Sequence, residues 1–317
     1  RKSNEGRLDF LHHIPPSGFH APTFLQHPYV RDLWWILYSP PLFQEISDCD
    51  PDIEWLSQGL NREGKDASMN LLQRLDQNPQ PLIDYLQSKN YRKLGIYAEL
   101  LLAFWLEYHP GYELLLANQV IHRKRQTIGE LDFVYREKIS GRTVHLELAI
   151  KFYLGHGNTT DWMSWHGPNP IDKLGLKLPK LYQKQILMSK RAETIDLLEK
   201  KGIKIDARKI LLKGCLYHHL TEQNPFAQYV HSGYLRSFYV TESEIPLIDK
   251  SVEEWKCVSL PRLSWLASRL ETDALQPLRL WVEKPLKRPI QLAMHNESSM
   301  TERYRFFIVP DHWLERL

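Results

Sequence analysis

Two acids and a lysine stand out in the apolar segment 128–155, IGELDFVYREKISGRTVHLELAIKFYLG. Asp132 lies in its first apolar run, and Glu147 and Lys151 lie in its second. Two carboxylates that converge from adjacent strands supply the oxygen ligands that Mg²⁺ and Mn²⁺ prefer. A nearby lysine could help to deprotonate a water or stabilise negative charge on a phosphate. The alternative is an exposed hairpin face on which these charges form a cross-strand ion pair.

A hairpin is predicted to position these residues. The strand-like runs 130–137 and 143–154 flank a short polar turn at 139–142, a pattern typical of two antiparallel strands. Because side chains alternate along a strand, Glu147 and Lys151 share one face with His145, and the apolar residues between them face the other way. Pairing across the turn would bring Asp132 within reach of that face.

Around the hairpin, the sequence predicts a helix, three strands, one or more helices and a fourth strand. The stretch GIYAELLLAFWLEYHPG predicts a helix over 96–108, and ELLLANQVI predicts a buried strand over 113–121. A later helix is expected to begin near Pro179, because proline suits a first helical turn. It is expected to reach Lys201, either as one helix or with a break on the way. KILLKGCLY predicts the last strand, over 209–217.

The chain of 317 residues divides into three predicted regions. Residues 1–89 are expected to be mainly helical, with loops at Pro15-Pro16, Pro40-Pro41 and Asn78-Pro79. Residues 90–220 form the α/β core. Residues 221–317 form a mixed α/β extension packed on that core, with short strands that include 303–309.

The composition narrows the class of protein. The three cysteines are far apart and lack a CxxC spacing, which favours neither a disulfide framework nor a zinc ribbon and indicates a reducing, cytoplasmic compartment. No apolar run approaches the length of a membrane span, and the first residues lack a signal-peptide core. A net charge of +3 permits a nucleic-acid partner without requiring one.

Basic residues occur on both sides of the acidic motif. Such residues could neutralise a phosphate backbone, although a charged stretch is commonly just a solvated surface. The loop with Trp162, Trp165 and His166 could stack on bases or gate the site, or it could simply pack. The candidate nucleic-acid-binding residues are Arg123, Lys124, Arg125, Lys177, Lys180 and Lys184.

The motif GELDF, followed by a strand with a glutamate and a lysine, resembles the PD-(D/E)XK nuclease-like superfamily, whose core has the same order of elements. The longer pattern GELDF…HLELAIKFYLGHG…GPNPIDKLGLKLPKLYQKQILMS resembles the bacterial DUF1853 family of unknown function, which has been grouped with these nucleases. The superfamily resemblance covers about residues 95–217. It implies an α/β, restriction-endonuclease-like core.

The resemblance also implies roles for individual residues. Asp132 and Glu147 would bind Mg²⁺ or Mn²⁺, and Lys151 would be the catalytic lysine. Glu99, on the preceding helix, would match an acid that many members place beside the metal. Gln185 would match a polar residue of the later helix, on an otherwise apolar face with Leu178, Leu181 and Met188, or it could be a core-facing hydrogen-bonding residue without a catalytic role. Glu130 could support the site or be a surface charge.

The position of the lysine departs from the superfamily pattern, in which acid and lysine are two residues apart. Ala149 occupies the expected position, and Lys151 comes two residues later. Four strand residues span about 13 Å. A bulge or a bent strand end could bring the ammonium group back to the site, because the lysine side chain is long and flexible.

The sequence therefore predicts a divalent-metal-dependent nuclease that hydrolyses phosphodiester bonds in nucleic acid, with DNA favoured over RNA. The displaced lysine favours an alternative, a non-catalytic nucleic-acid-binding or assembly module that keeps the nuclease scaffold. A third hypothesis is a protein-interaction factor that uses its aromatic surfaces.

Overall fold

A large mixed β-sheet runs through the chain in the computed structural model. The structure describes residues 20–47, 49–57, 60, 65–221, 229–246, 255–270, 275–296 and 302–316. Eleven strands in this part of the chain belong to the sheet, and helices cover its two faces. The predicted α/β class is confirmed.

The helices and strands have the following bounds. The α-helices are α1 (Pro28–Tyr38), α2 (Lys65–Gln77), α3 (Gln80–Gln87), α4 (Leu94–Tyr108), α5 (Leu174–Lys180) and α6 (Ala192–Lys200). The strands are β1 (Ile53–Trp55), β2 (Tyr112–Arg123), β3 (Gln126–Glu137), β4 (Thr143–Gly155), β5 (Trp165–His166), β6 (Ala207–His219), β7 (Arg236–Thr241), β8 (Trp255–Ser259), β9 (Gln276–Pro277), β10 (Ile290–Asn296) and β11 (Glu302–Val309).

The sheet is antiparallel at its two ends and parallel in the middle. Its order is β2-β3-β4-β6-β7-β11-β10-β8-β9, with β1 paired to β6 and β5 paired to β4. The pairs β4–β6, β6–β7 and β7–β11 are parallel, and β2, β3 and β4 form an antiparallel meander. Because β4 lies between β3 and β6 with helices on both faces, its side chains are buried on both sides. This position encloses the acidic motif.

The predicted order of helix, three strands, helices and strand agrees with α4, β2, β3, β4, α5, α6 and β6. Helix α4 is apolar on almost every side, as expected of a helix enclosed by other elements. It packs with α1 and with the face of β4 that carries Leu146 and Leu148. Glu99 is therefore an acid on a largely buried helix.

The later helix differs from the prediction. It begins at Leu174, so Pro179 lies inside α5 and not at its start. The helix then changes to a π-helical segment, Leu181–Gln185, and a 3₁₀ segment, Ile186–Lys190, before α6 begins. Proline lacks an amide hydrogen, so Pro179 cannot donate the usual α-helical hydrogen bond inside α5.

The regions outside the core also join its sheet. The N-terminal region contains the expected helices, and it adds β1, a short strand that the sequence did not predict and that pairs in parallel with β6. The predicted loop at Pro15-Pro16 lies outside the described residues. The expected strand at 303–309 corresponds to β11. In the described part of the chain, no helix has both the length and the apolar character needed to cross a membrane.

Candidate active site

The candidate site lies where β3 and β4 separate. The main-chain ladder between these strands ends at the pair Phe133–Leu146. Immediately beyond it, the Leu148 amide donates to Asp132 Oδ2 at 3.0 Å, and the Asp132 amide donates to Glu147 Oε1 at 3.3 Å. Carboxylate groups thus replace the missing backbone bonds. The structure brings the two predicted acids together at this split.

Burial decides between the two interpretations of the hairpin. The Glu147 side chain is 0% exposed, and Asp132 is half-buried. The alternative of a solvent-exposed charged face is therefore wrong. It fails because α5 and the two segments that follow it cover this side of β4. A buried carboxylate is costly unless hydrogen bonds or opposite charges compensate it.

A chain of buried hydrogen bonds holds Glu147 in place. Arg208 Nε donates to Ser189 Oγ at 2.9 Å, Ser189 Oγ lies 3.0 Å from His145 Nδ1, and His145 Nε2 lies 2.8 Å from Glu147 Oε1. Burial, and then the charge of Arg208, lowers the pKa of His145 to about 3. The ring is therefore neutral, and it orients Glu147 by hydrogen bonding.

Sequence reasoning missed this supporting chain. His145 was placed on the correct face by its spacing of two from Glu147, and that spacing was the available signal. Ser189 and Arg208 belong to the 3₁₀ segment and to β6, and only the fold brings them beside His145. Because Ser189 and His145 are buried, the chain positions Glu147 and does not present a serine nucleophile.

The Ser189→Ala substitution should lower the free energy of unfolding by about 1–3 kcal/mol, because it removes two hydrogen bonds of a largely buried chain, one to His145 Nδ1 and one from Arg208 Nε. Urea unfolding at neutral pH measures this change. Ser140→Ala is the control, since it removes a hydroxyl that donates to Glu137 on the exposed hairpin turn. Equal effects of the two substitutions would show that the buried chain contributes no more than a surface contact.

The acidic pair retains a proton more strongly than ordinary carboxyl groups. Burial raises the pKa of Glu147 to about 8, hydrogen bonds from Asp132 oppose the shift, and the charges of Glu99 and Glu130 add to it. Burial and the Glu147 charge raise the pKa of Asp132 well above its usual value. Glu147 Oε2 is buried and has no hydrogen-bond partner. The pair can therefore hold either a shared proton or a cation.

Glu99 lies near this pair but is bonded to another residue. Asn118, which adopts a positive φ of 48° in β2, donates to Glu99 Oε2 at 2.7 Å. Burial raises the pKa of Glu99, and the Asn118 bond partly offsets the rise. In the ranges that the structure describes, no three His, Cys, Asp or Glu side chains are grouped so that they could hold a metal ion. Glu130 is exposed.

Lys151 is half-buried further along β4. Burial lowers its pKa, while the charges of Asp172 and Asp132 act in the opposite direction. Gly214 of β6 lies opposite, with φ of 149°, and a Cβ there would come within 1.7 Å of the Lys151 carbonyl oxygen. This close approach of the two backbones requires glycine. Among the described residues, no hydrogen bond or ion pair holds the Lys151 ammonium group.

Gln185 is exposed, so the expectation that it shares a buried face is wrong. Leu178, Leu181 and Met188, its expected companions, are buried. Gln185 lies at the end of the π-helical segment, where the wider turn changes the angular spacing of the side chains. The prediction assumed a regular α-helix.

The six candidate nucleic-acid-binding residues are exposed. Arg123 pairs with Glu193, and Lys177 Nζ lies 3.8 Å from Asp172 Oδ1. Of the six candidate residues, Lys124, Arg125, Lys180 and Lys184 have no ion pair within the part of the chain that the structure describes.

The aromatic loop packs against the protein. Trp165 is 1% exposed and donates to the Thr159 carbonyl at 3.0 Å, and the Trp162 ring lies 4.6 Å from that of Phe43. His166 is also buried, beside the Pro170 carbonyl. The interpretation of this segment as a packed loop is therefore correct, rather than the one in which it stacks on bases or gates the site.

Fold and site together define a mixed α/β protein with an acidic pair, of which Glu147 is fully buried, on the neighbouring strands β3 and β4 of its sheet. The chain belongs to the DUF1853 family, since the model of that family, described as a domain of unknown function, matches residues 31–309. The predicted family is thus confirmed. No curated protein and no solved structure matches the chain.

Proposed function

We propose that this protein is a divalent-metal-dependent phosphodiesterase that acts on nucleic acid, preferentially DNA, and that 94–219 form a PD-(D/E)XK-like core. The observation that carries the proposal is the Asp132–Glu147 pair at the split between β3 and β4, with one Glu147 oxygen buried and unpartnered. The order of elements from α4 to β6 and the parallel pairing of β4 with β6 support the core assignment.

The donor set fits Mg²⁺ better than a cation that needs a complete protein cage. Two adjacent carboxylates are sufficient for Mg²⁺, because Mg²⁺ commonly keeps several waters and takes further oxygens from a phosphate. Asp132 and Glu147 would hold the ion, with Glu99 close enough to add negative charge. A bound divalent ion supplies Lewis acidity toward the phosphodiester group and lowers the pKa of water.

The remaining residues have separate tasks in this proposal. His145 and Ser189 fix the orientation of Glu147 through their hydrogen bonds. Lys151 places a positive charge within electrostatic range of Asp132, where it stabilises negative charge on the reacting phosphate. The exposed Lys180 and Lys184 lie on the segment that covers this face of the sheet, and they contact the nucleic-acid backbone.

One observation favours the alternative of a non-catalytic scaffold. Both acids already accept main-chain hydrogen bonds that hold β3 and β4 together at their split. A pair used only in this way would stabilise the sheet and leave nucleic-acid binding to the basic surface. This alternative predicts salt-sensitive binding without cleavage.

The experiment that tests the proposed function is a cleavage assay on linear, nicked, branched and single-stranded DNA and on RNA, with Mg²⁺ or Mn²⁺. Asp132→Asn removes a carboxylate charge with little change in shape, and it should abolish the metal-stimulated cleavage. Glu113→Gln is the matched control, since it removes an acid on the exposed surface of β2. Cleavage that survives Asp132→Asn would refute the site, and binding to all substrates without cleavage would support the scaffold.

A further inference from the structure

A cavity of about 530 Å³ lies on another part of the molecule, between the β5–α5 loop and the β8–β10 end of the sheet. Its walls come from the loop at 168–170, the turn at 259–265, the residues that lead into β10, and the segment after β11. The acids of the candidate active site do not line it. Its volume is in the range of small-molecule binding pockets.

The charge of this cavity has one sign. Arg262, Lys287 and Arg288 line it, and the lining contains neither aspartate nor glutamate. In the described residues, none of the three cations is paired with a carboxylate. Arg262 instead lies over the Trp265 ring, at 5.3 Å from the ring centre. Three unneutralised cations around one concavity attract an anion.

A second feature of the cavity wall is a buried polar atom without a hydrogen-bond partner. Gln291 is 1% exposed, and its amide nitrogen donates to the Tyr217 hydroxyl at 2.8 Å. The other amide atom is buried without a hydrogen-bond partner. An unsatisfied buried amide is costly, and a polar ligand group would satisfy it.

Aromatic and apolar surface completes the cavity. Trp265 and Trp313 are largely buried in its walls, and their indole nitrogens already donate to the Leu260 and Pro168 carbonyls, each at 3.1 Å. The rings therefore offer apolar surface. Inorganic phosphate would use the cations alone and leave this surface and the Gln291 amide uncovered. A planar polar ring joined to a phosphate would use all three features.

We propose that this cavity binds a nucleoside phosphate, either as a free nucleotide or as the phosphorylated end of a nucleic-acid strand. The phosphate contacts Arg262, Lys287 and Arg288, and the base lies toward the tryptophans and the Gln291 amide. This inference is independent of the cleavage chemistry, because the acidic pair contributes nothing to the cavity.

Titration calorimetry tests the inference with four probes, namely ADP, inorganic phosphate, and a short single-stranded oligonucleotide with or without a 5′-phosphate. The double variant Lys287→Ala/Arg288→Ala changes exposed side chains and should fold normally. Of ADP and the 5′-phosphorylated oligonucleotide, one should bind the wild type more tightly, and the double variant should weaken the binding of that probe by about tenfold or more. The control Arg279→Ala/Lys284→Ala removes the same charge from exposed positions outside the cavity and should have less than about a threefold effect.

The calorimetric results distinguish a free nucleotide from a strand end, and both of these from the absence of a nucleotide site. Tighter binding of ADP supports a free nucleotide, and tighter binding of the oligonucleotide that depends on its 5′-phosphate supports a strand end. The inference is overturned if neither nucleotide probe binds at millimolar concentration, if phosphate alone binds as tightly as both, or if the two double variants have equal effects. Asp132→Asn should bind the probes like the wild type, so a failure of the cleavage proposal remains distinguishable.

Discussion

Replacing Lys151 by methionine should lower the rate of metal-dependent phosphodiester cleavage by about 100-fold or more, the usual effect of removing a group that stabilises charge in a transition state. The methionine keeps much of the apolar stem and removes the ammonium group. Metal binding by Asp132 and Glu147 should persist, because their contacts do not include Lys151. Single-turnover cleavage rates and calorimetric Mg²⁺ titration measure the two effects.

This prediction decides what the displaced position of the lysine means. Lys151 is two residues further from Glu147 than the superfamily pattern requires, and its backbone is held against Gly214. Lys204→Met is the matched control, because Lys204 is exposed outside the candidate site. If both variants cleave like the wild type, Lys151 is not the catalytic lysine, even though the acids could still bind metal.

The Glu147→Gln protein should become more stable relative to the wild type as the pH rises. Glu147 has a pKa of about 8 in the folded protein, against an ordinary value of 4.5. A carboxyl group whose pKa is raised by folding contributes its full stability below the ordinary value and loses it as the pH rises through the folded value. Glutamine cannot ionise, so it avoids this loss.

The size of the effect follows from the shift in pKa. Each pKa unit corresponds to about 1.4 kcal/mol, so the stability difference at pH values near 8 should be on the order of 2 kcal/mol or more. Urea unfolding of both proteins between about pH 5 and pH 8, without divalent ions, measures this difference. The comparison between the two proteins is needed because His145 and His218 have pKa values lowered to about 3 and about 4. These two groups make both proteins more stable as the pH rises, and their effect cancels in the difference.

Glu130→Gln is the control for this experiment, since Glu130 is an exposed neighbour of the pair. A pH-independent difference in stability between Glu147→Gln and wild type would show that Glu147 is not a proton-holding acid.

Millimolar Mg²⁺ should raise the melting temperature of the wild type more at pH near 8 than near 6, because the cation binds the ionised pair. If Mg²⁺ does not change the melting temperature of the wild type, the proposed metal site is contradicted, whereas the raised pKa of Glu147 is not.

Local patterns in the sequence were sufficient for the central elements. The apolar stretch of α4, the alternation in β3 and β4 and the turn between them were all predicted, because side-chain periodicity reflects which faces are buried. The same alternation placed Glu147 and Lys151 on one face. The later helix was predicted less well, because a π turn after Pro179 changes the register that α-helical spacing assumes.

By itself, the sequence determined the class of fold, the order of the core elements, the family and the identity of the two acids. The burial of these acids, their pKa values and their hydrogen-bond partners were decided by the tertiary structure. Burial of β4 between β3 and β6, under helices on both faces, removes water from Glu147 and raises its pKa. Long-range packing brings Ser189 and Arg208 to His145, a contact that no local pattern encodes. The fold thus brings two acids on neighbouring strands into direct contact with each other's strand, with Glu147 fully buried and Asp132 half-buried.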